Sequence, residues 1–176
     1  MHTNILATPT FAPAQFTIGP QQPTAAAALP AALGIRGLDH LGIAVESIAA
    51  ARSLYEVSLG AKFTGEEVVA EQKVRVAFFE IGDQAHPLRI ELLEPLDTDS
   101  PIAKFIAKRG PGLHHTAYRV DDVGRALQAA AAAGLRLIDQ APRRGAHGAS
   151  IGFLHPQSTG GLLTELCAPS FDGASD

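Results

Sequence analysis

Two histidines and two glutamates recur at matching places in the two halves of this sequence of 176 residues. The segment LDHLGIAVESIAAA aligns without a gap with LHHTAYRVDDVGRA, so that His40 corresponds to His115. Farther along each half, IELLEP aligns with TELCAP, and Glu91 then corresponds to Glu165. A repeat of this kind indicates two copies of one module.

Duplicated packing explains most of the matched positions in such a repeat. The recurring His and Glu need another explanation, because a buried, unpaired carboxylate costs on the order of several kcal/mol and requires a charge partner. A metal ion shared by the two modules would be such a partner, with nitrogen and oxygen ligands that suit zinc, cobalt, nickel, manganese or ferrous iron. The repeat therefore predicts one divalent-metal site whose ligands are His40, Glu91, His115 and Glu165.

The elements that must hold these residues follow from hydrophobic periodicity and capping residues. In the first half, residues 38–45 alternate as a strand, and Ser47 caps a predicted helix that Gly60 ends. Short apolar runs then predict three further strands, at residues 62–70, 74–81 and 88–94.

The second half repeats this pattern. Residues 113–120 form the predicted strand, and Asp121 or Asp122 caps a helix that Gly134 ends. Between the two halves, residues 99–109 predict a linking helix that begins with a proline. The further strands of the second half are predicted at residues 135–139, 149–154 and 162–167.

Composition and charge narrow the function classes. The chain is 46% hydrophobic and has a formal net charge of -4 with both signs interspersed, so it can fill a core and has no basic field for nucleic acid. Its single cysteine, Cys167, excludes an intrachain disulfide framework and favours a reducing, cytoplasmic setting. No apolar run approaches the roughly 20 residues of a membrane span, so we expect no membrane-spanning segment.

Residues 1–34 differ in composition from the rest of the chain. They contain no Asp, Glu, Lys or Arg and are rich in Ala and Pro. They also lack the positive start and long apolar stretch of a signal peptide and the arginines of a transit peptide. We therefore expect residues 1–34 to be a flexible extension and residues 35–170 to form the folded domain.

Longer motifs carry a family resemblance beyond the His and Glu pattern. These motifs are LDHLGIAV, IELLEPLDTDSPIAKFIAKRG, GLHHTAYRVDDV, LIDQAPRRGAHG and FLHPQSTGGLLTEL. The sequence resembles the vicinal oxygen chelate (glyoxalase/bleomycin resistance) superfamily and, within it, the methylmalonyl-CoA epimerase family. The resemblance implies an α+β fold of paired βαβββ modules that curl around a metal site, with module one at residues 37–95 and module two at residues 112–169.

The activity that this resemblance implies is interconversion of the R and S epimers of methylmalonyl-CoA at C2. The reaction runs by proton abstraction and return through a metal-stabilised enolate. The implied metal ligands are the same four residues that the repeat predicts. The implied cofactor is a divalent ion of cobalt, zinc, manganese or nickel, the implied partner is an acyl-CoA substrate, and the implied assembly is a homodimer.

Epimerisation needs a proton to leave one face of C2 and to return on the other. Glu165 is the first candidate for this transfer, Glu91 is the first candidate for the opposite face, and His147 in RRGAHG is the next. Some bacterial members of the family carry a proton-transferring glutamate in the strand that corresponds to residues 73–79, where this sequence has Val76. The sequence therefore leaves the second base open.

Other chemistry-bearing residues have structural interpretations. Neighbours on a strand point to opposite faces, so His114 is expected to be structural rather than a ligand. His155 precedes a proline and is expected to belong to a local turn, and Cys167 is expected to be a small buried hydrophobe. Four basic residues are candidates for contact with coenzyme A phosphates, with solvated surface charge as the alternative: Lys104, Lys108, Arg143 and Arg144.

Three alternatives remain within the superfamily. Lactoylglutathione lyase (glyoxalase I) has the same ligand types, but its relatives usually lack the helix between the modules. Members that sequester antibiotics bind without metal or catalysis and would not be expected to retain two His and two Glu. Iron dioxygenases normally use two His and one carboxylate, which leaves Glu91 unexplained.

Overall fold

Most strands and helices form where periodicity and capping residues favour them. The structure, a computed structural model, describes residues 33–169. The strands are β1 (Gly37–Ala44), β2 (Lys62–Val69), β3 (Val74–Ile81), β4 (Leu88–Pro95), β5 (Gly112–Arg119), β6 (Arg143–Arg144), β7 (Ser150–Leu154) and β8 (Leu163–Ala168). The α-helices are α1 (Ile48–Ser53), α2 (Pro101–Arg109) and α3 (Val123–Ala132), with a π-helical turn at Leu54–Ser58 and 3₁₀ turns at Ala70–Gln72, Ala146–Gly148 and Pro156–Ser158. None of the helices in residues 33–169 is long and apolar enough to cross a membrane.

The strands join in one mixed sheet in the order β2-β3-β4-β1-β5-β8-β7-β6. β1 and β5 pair antiparallel at its centre, and each also pairs in parallel with the last strand of its own module, β4 or β8. The order is symmetric about the β1–β5 pair: β1 corresponds to β5, β4 to β8, β3 to β7 and β2 to β6. The paired βαβββ modules expected from the sequence are therefore confirmed.

Capping side chains begin the helices of the two modules. Ser47 accepts a hydrogen bond from the Ala50 N–H at the start of α1. Asp122, rather than Asp121, accepts from the Arg125 N–H at the start of α3. These caps start the two helices at equivalent points after β1 and β5, so the chain follows the same path in both modules.

The linking helix α2 also begins at a cap. The Ser100 side chain accepts a hydrogen bond from the Ile102 N–H, and Pro101 lies in the first turn, where its missing N–H costs nothing. The observed helix thus falls within the predicted residues 99–109. Ile102 and Phe105 pack against the apolar cluster on the inner face of module one, which ties the helix to the sheet.

One predicted strand does not form. Residues 135–139 make only an isolated bridge, between Leu137 and Leu154. The Asp139 carboxylate accepts a hydrogen bond from the Phe153 N–H, a donor that a continuing strand would pair with a backbone carbonyl. The prediction of a strand at residues 135–139 is therefore wrong, and the edge strand beside β7 is instead the two-residue β6.

Apolar residues pack the helices onto the outer face of the sheet. Ile48 of α1 packs with Phe79 and Leu92 of module one, and Leu127 of α3 packs with Leu166 of module two. Burial of such side chains contributes on the order of 1.5–3 kcal/mol each. Equivalent packing in the two modules holds β1 and β5 in place, together with the residues on their inner faces.

The sheet curls around one large cavity. All eight strands contribute lining residues, and its volume is about 780 Å³. Apolar side chains form much of its wall, among them Val76, Phe78 and Phe153. The inward-facing residues of both modules meet in this cavity.

The first described residues are tied to module two. Leu33 packs against the outer cluster of that module, and Arg36 forms an ion pair with Asp121. Residues 1–32 of the expected extension lie outside the described residues. The prediction that residues 1–34 are a flexible extension therefore stays a prediction.

Candidate metal centre

His40 and His115 face each other across the central strand pair. They are equivalent in the repeat, and the antiparallel pairing of β1 with β5 brings the equivalent points together. Their Nε2 atoms lie 3.2 Å apart, and Glu165 Oε2 lies 3.5 Å from His115 Nε2. One ligand atom from each of these three residues lies within 4.8 Å of the others. The structure thus brings together three of the four predicted ligands as a compact set.

Glu91 approaches this compact set through His40. Its Oε2 lies 3.6 Å from His40 Nε2, but Glu91 does not belong to the set whose ligand atoms all lie within 4.8 Å of one another. β4 carries Glu91 and β8 carries Glu165, and each strand runs parallel to the histidine strand of its own module. The two glutamates therefore occupy equivalent positions in the fold but differ in their approach to the histidine pair.

Gly42 leaves the space that the His115 ring occupies. It faces His115 in the β1–β5 pairing, and a β-carbon built on it would stand 2.1 Å from His115 Cε1. No side chain fits at that distance. The histidine pair therefore requires glycine at this position of β1.

A β-bulge precedes each of the two histidines. The β1–β5 pairing skips Asp39 on one strand and His114 on the other, and these two residues are equivalent in the repeat. Each reaches the Nδ1 atom of the histidine that follows it. Asp39 Oδ1 lies 3.0 Å from His40 Nδ1, and His114 Nδ1 lies 2.9 Å from His115 Nδ1. Simple alternation predicts that His114 points away from His115, and this prediction is wrong because of the bulge.

Asp39 fixes the ring proton of His40 on Nδ1. Its carboxylate accepts the Nδ1–H and also pairs with Arg89, which lies opposite His40 on β4. Burial alone would raise the pKa of Asp39, but the hydrogen bond to His40 and the charge of Arg89 outweigh burial and hold that pKa below its usual value. Because the ionised carboxylate holds the ring proton on Nδ1, the Nε2 atom of His40 faces the ligand atoms of His115 and Glu165.

His115 has a neutral partner instead of a carboxylate. Burial lowers the pKa of His114 to about 4, so its Nδ1 can accept the Nδ1–H of His115. Burial also holds the pKa of His115 well below its usual value, and positive charge on His40 or His114 would lower it further. Phe105 of α2 packs edge-on against His114, with 5.0 Å between the ring centres. His115 is therefore a neutral imidazole whose Nδ1 contacts His114, and Phe105 packs against His114 in turn.

Burial acts on both glutamates in the same direction. It raises the pKa of Glu165 to about 8 and also raises the pKa of Glu91, although the charge of His40 opposes the rise in each case. Burial by itself would lower the pKa of His40, yet Asp39, Glu91 and Glu165 together raise it. The protein groups described here thus compensate the buried Glu165 carboxylate and the half-buried Glu91 carboxylate only in part.

This donor set fits a divalent ion. His40 Nε2 and His115 Nε2 face each other at 3.2 Å, and Glu165 adds an oxygen. Lone pairs that converge in this way repel each other unless a cation or a proton lies between them. The donor separations of 3.2–3.6 Å are also of the order expected when ligand atoms each lie roughly 2.0–2.2 Å from one ion. Imidazole nitrogens with carboxylate oxygens suit zinc, cobalt, manganese or nickel.

His147 lies at the cavity but apart from the histidine pair. It belongs to the 3₁₀ turn Ala146–Gly148, and its ring stacks on Phe78 with 4.1 Å between the ring centres. Val76, where some family members have glutamate, is buried in the same wall of the cavity. The structure therefore brings His147 to the cavity wall that contains Val76 and Phe78.

Of the other residues considered in the sequence, some line the cavity and others lie in a turn or on the surface. His155 accepts a hydrogen bond within its own turn, as expected of a local turn residue. Cys167 lines the cavity, and burial raises the pKa of its thiol, which keeps the sulfur protonated. Arg143 also lines the cavity, with its guanidinium 5.1 Å from the centre of the Phe153 ring. The other basic candidates, Lys104, Lys108 and Arg144, are exposed and do not line the cavity.

Three residues around the centre were not predicted from the sequence. They are Asp39, Gly42 and Arg89, and each stands within two positions of a predicted ligand. Adjacency to the ligands was the one signal that pointed to them. The bulge, the close approach and the ion pair that give them their roles appear only in the folded chain.

Comparison with known proteins gives a consistent set of relatives. Residues 39–153 match the sequence model of the Glyoxalase/Bleomycin resistance protein/Dioxygenase superfamily. The uncharacterized protein YqjC of Bacillus subtilis is 49% identical over 135 residues, which cover 77% of this chain and 94% of that protein. The mitochondrial methylmalonyl-CoA epimerase of Bos taurus is 38% identical over 131 residues, which cover 73% of this chain and 72% of that protein. A solved structure of a methylmalonyl-CoA epimerase in complex with methylmalonyl-CoA and NH4+ has a TM-score of 0.73 at 36% identity and covers 78% of this chain and 96% of that chain.

Proposed function

Since the chain belongs to the glyoxalase/bleomycin resistance protein/dioxygenase superfamily and, within it, to the methylmalonyl-CoA epimerases, we propose that it interconverts the R and S epimers of methylmalonyl-CoA at C2. The enzyme is thus an isomerase that acts on an acyl-CoA thioester. The relatives that carry this name match 73% and 78% of this chain.

The proposed metal ligands are His40, His115, Glu165 and Glu91, and the proposed ion is divalent cobalt, zinc, manganese or nickel. Such an ion, when bound, supplies Lewis-acid stabilisation of the negative charge that develops on the substrate oxygens as the C2 proton leaves. Asp39 keeps the His40 ring in the tautomer that presents Nε2.

Glu165 is proposed to transfer the proton on one face of C2. Its carboxyl group is buried at the cavity beside Phe153, its partner on β7, and poor solvation makes a carboxylate a stronger base. The electron pair of the C–H bond then moves toward the thioester carbonyl while the proton passes to Glu165. Glu91 and His147 are the candidates for the opposite face, Glu91 by its equivalence to Glu165 and His147 by its place at the cavity wall.

The cavity wall is proposed to exclude water and to contact coenzyme A. Val76, Phe78, Ile151 and Phe153 keep bulk water away from the reacting carbon, which strengthens every charge interaction inside the cavity. Arg143 is the preferred candidate for a phosphate of coenzyme A, because of the four basic residues considered it alone lines the cavity.

The convergence of two imidazole nitrogens and a carboxylate oxygen from both modules at one cavity supports the proposal most directly. A protein that only sequesters a ligand has no need of buried donors that face each other at 3.2 Å. An iron dioxygenase would use the compact set of His40, His115 and Glu165 but would leave the half-buried Glu91 without a function.

Exchange of the C2 proton tests this function. Purified protein loaded with Co²⁺ is incubated with one pure epimer of methylmalonyl-CoA in D2O, and deuterium uptake and conversion to the other epimer are followed by mass spectrometry and chiral analysis. We expect both reactions, and negligible turnover of the hemithioacetal of methylglyoxal and glutathione. The reverse preference would assign the chain to the alternative, lactoylglutathione lyase (glyoxalase I), and no turnover of either substrate would overturn the proposal.

Further expectations accompany this function. Residues 35–170 are proposed to fold as one domain, with module one at 37–95 and module two at 112–169, and to assemble as a homodimer. The single cysteine, Cys167, supports a proposed cytoplasmic setting. The proposed substrate would give the enzyme a part in propionate metabolism.

A further inference from the structure

Two hydrogen bonds join the β2–β3 hairpin of module one to residues 143–148 of module two. The Glu67 carboxylate accepts the His147 backbone N–H at 2.8 Å, and the Gln72 side chain donates to the Arg144 carbonyl at 3.5 Å. Gln72 and His147 both line the cavity. The hairpin therefore holds this segment of module two against the cavity of module one.

The backbone of His147 is held in an uncommon conformation. Its φ of 52° and ψ of 25° lie in the left-handed region, which few residues other than glycine adopt. The turn around it is closed by hydrogen bonds from the Gly145 N–H to the Ala149 carbonyl and from the Ala149 N–H to the Ala146 carbonyl. Strain that is maintained by surrounding contacts is typical of functional sites.

The ring of His147 is held by the same carboxylate as its backbone. Glu67 Oε2, which accepts the backbone N–H, lies 3.7 Å from His147 Nε2. The other contact of the ring is with Phe78, at 4.1 Å between ring centres. One carboxylate oxygen and one aromatic face thus contact the imidazole, while 67% of the His147 side chain remains exposed.

The contact between Glu67 and His147 lies beside Val76 of β3. Val76 pairs with Glu67 across β2 and β3, and Val76 and Phe78 both line the cavity because they are two residues apart on one strand. A base at position 76 would project from the same cavity wall as Phe78, on which the His147 ring stacks. Glu165 lies on β8 of module two, next to His115.

We propose, on the basis of the epimerase function above, that His147 transfers the proton on the face of C2 opposite Glu165 and that Glu67 is the residue that positions it. A carboxylate on β2 and a histidine from module two then replace the glutamate that some relatives carry on β3. Glu91 is left as a metal ligand without a proton to transfer.

The proposed step balances as follows. In one direction Glu165 takes the C2 proton, the C–H electron pair moves toward the thioester carbonyl, and the imidazolium of His147 then donates its proton to C2 from the other side. The reverse direction starts with neutral His147 as the base and protonated Glu165 as the acid. Each residue returns to its starting state by exchange with solvent, so no oxidant or other reactant is needed.

Pure R and pure S methylmalonyl-CoA, each incubated in D2O with the Co²⁺-loaded protein, separate the two faces. His147→Asn removes the base and keeps the backbone, because Asn tolerates the left-handed region. We expect one epimer to retain its C2 exchange within about threefold, whereas exchange of the other epimer and interconversion fall by roughly 10²- to 10⁴-fold, the range of general acid-base groups.

Glu67→Gln separates positioning of the ring from simple anchoring of the loop. Its amide oxygen still accepts the His147 N–H, but it presents no charge to the imidazole. We expect the same epimer-selective loss, about tenfold, and little further loss when Glu67→Gln is added to His147→Asn, since residues that act as one unit are not additive. A residue that only anchors the loop would be replaced by glutamine without this selective loss.

Glu66→Gln is the matched control, because Glu66 is the neighbouring glutamate, pairs with Arg75 and does not line the cavity. It should leave exchange of both epimers unchanged. Metal content and melting temperature are measured for every variant. Equal loss for both epimers, unchanged rates in His147→Asn, or additive losses in the double variant would overturn the proposal. Absence of exchange in the wild-type protein would instead contradict the epimerase function on which it rests.

Discussion

Gly42 and His115 lie so close across the β1–β5 pairing that a β-carbon on Gly42 would stand 2.1 Å from His115 Cε1. The imidazole thus occupies the volume that any other residue at position 42 would fill. Because His115 Nε2 is directed at His40 Nε2 from this position, the glycine determines whether the two modules can share a ligand set.

Gly42→Ala should disturb the centre without unfolding the sheet. The added methyl group must displace the His115 ring, so we expect a loss of bound Co²⁺ and a destabilisation of about 1–3 kcal/mol, as is usual for an overpacked site. Metal content by elemental analysis and thermal unfolding measure the two effects. Gly124→Ala in α3 is the control, since its β-carbon would meet nothing closer than 3.2 Å. Full metal content in Gly42→Ala would contradict the role of the glycine.

Removal of the histidine pair should abolish the effect of metal on stability. A ligand that binds only the folded state stabilises it by about 4 kcal/mol at 1,000 times its dissociation constant, so Co²⁺ should raise the melting temperature of the wild-type protein. We expect no such rise in the His40→Ala, His115→Ala double variant. His155→Ala serves as the control, because His155 lies in a turn away from the centre. Full metal occupancy in the double variant would rule out the proposed site.

The two glutamates should respond differently to amide substitution. Glu165→Gln can retain some metal through its amide oxygen, but an amide cannot accept the proton, so turnover should fall by roughly 10²- to 10⁴-fold. Glu91→Gln should cost only about tenfold, as expected for a ligand that does not act as a base. Epimerisation rates at equal metal content make the comparison. A loss in Glu91→Gln as large as that in Glu165→Gln would make Glu91 the second base.

Asp39→Ala should weaken metal binding although Asp39 is not a proposed ligand. It removes the carboxylate that orients the His40 ring and leaves Arg89 without its partner. Loss of such a partner typically costs about 10- to 100-fold in metal affinity, which competition with a coloured chelator measures. Asp121→Ala, which breaks the exposed ion pair with Arg36, is the matched control. Equal affinities in the two variants would show that the orienting contact has no effect.

Shortened proteins that begin at Leu33 or at Ile35 test the expected extension. Both should melt cooperatively and retain epimerase activity, since residues 1–34 contain no charged residue and no periodic pattern. The protein that begins at Leu33 should be more stable by about 1 kcal/mol, because Leu33 is only partly buried against module two. Loss of cooperative unfolding in both would show that the extension is needed by the domain.

The sequence by itself determined the parts of this protein that repeat or that depend on neighbouring residues. The duplicated segments predicted His40, His115, Glu91 and Glu165 as one ligand set, because a duplicated module carries its inward-facing residues with it. The helix caps were likewise predictable, since the bond from Ser47 to the Ala50 N–H spans three residues. Local patterns of this kind are complete within a short stretch of chain.

The tertiary structure decided what depends on strands that are distant in sequence. The bulge that turns His114 toward His115 arises from the register between β1 and β5, and a pattern read along one strand does not contain that register. The strand expected at residues 135–139 failed for the same kind of reason, because Asp139 takes a hydrogen bond from Phe153. Side-chain competition for a backbone donor on another strand leaves no local periodicity.

The contact between Glu67 and His147 is also decided by the tertiary structure. The two residues are 80 positions apart, one in each module, and become neighbours only because the sheet curls and closes the hairpin of module one onto module two. The sequence marked His147 as a candidate base, but nothing in it pointed to Glu67 as its partner. Their separation along the chain carries no information about distance in space, so only the folded chain brings the carboxylate, the imidazole and the cavity wall at Val76 together.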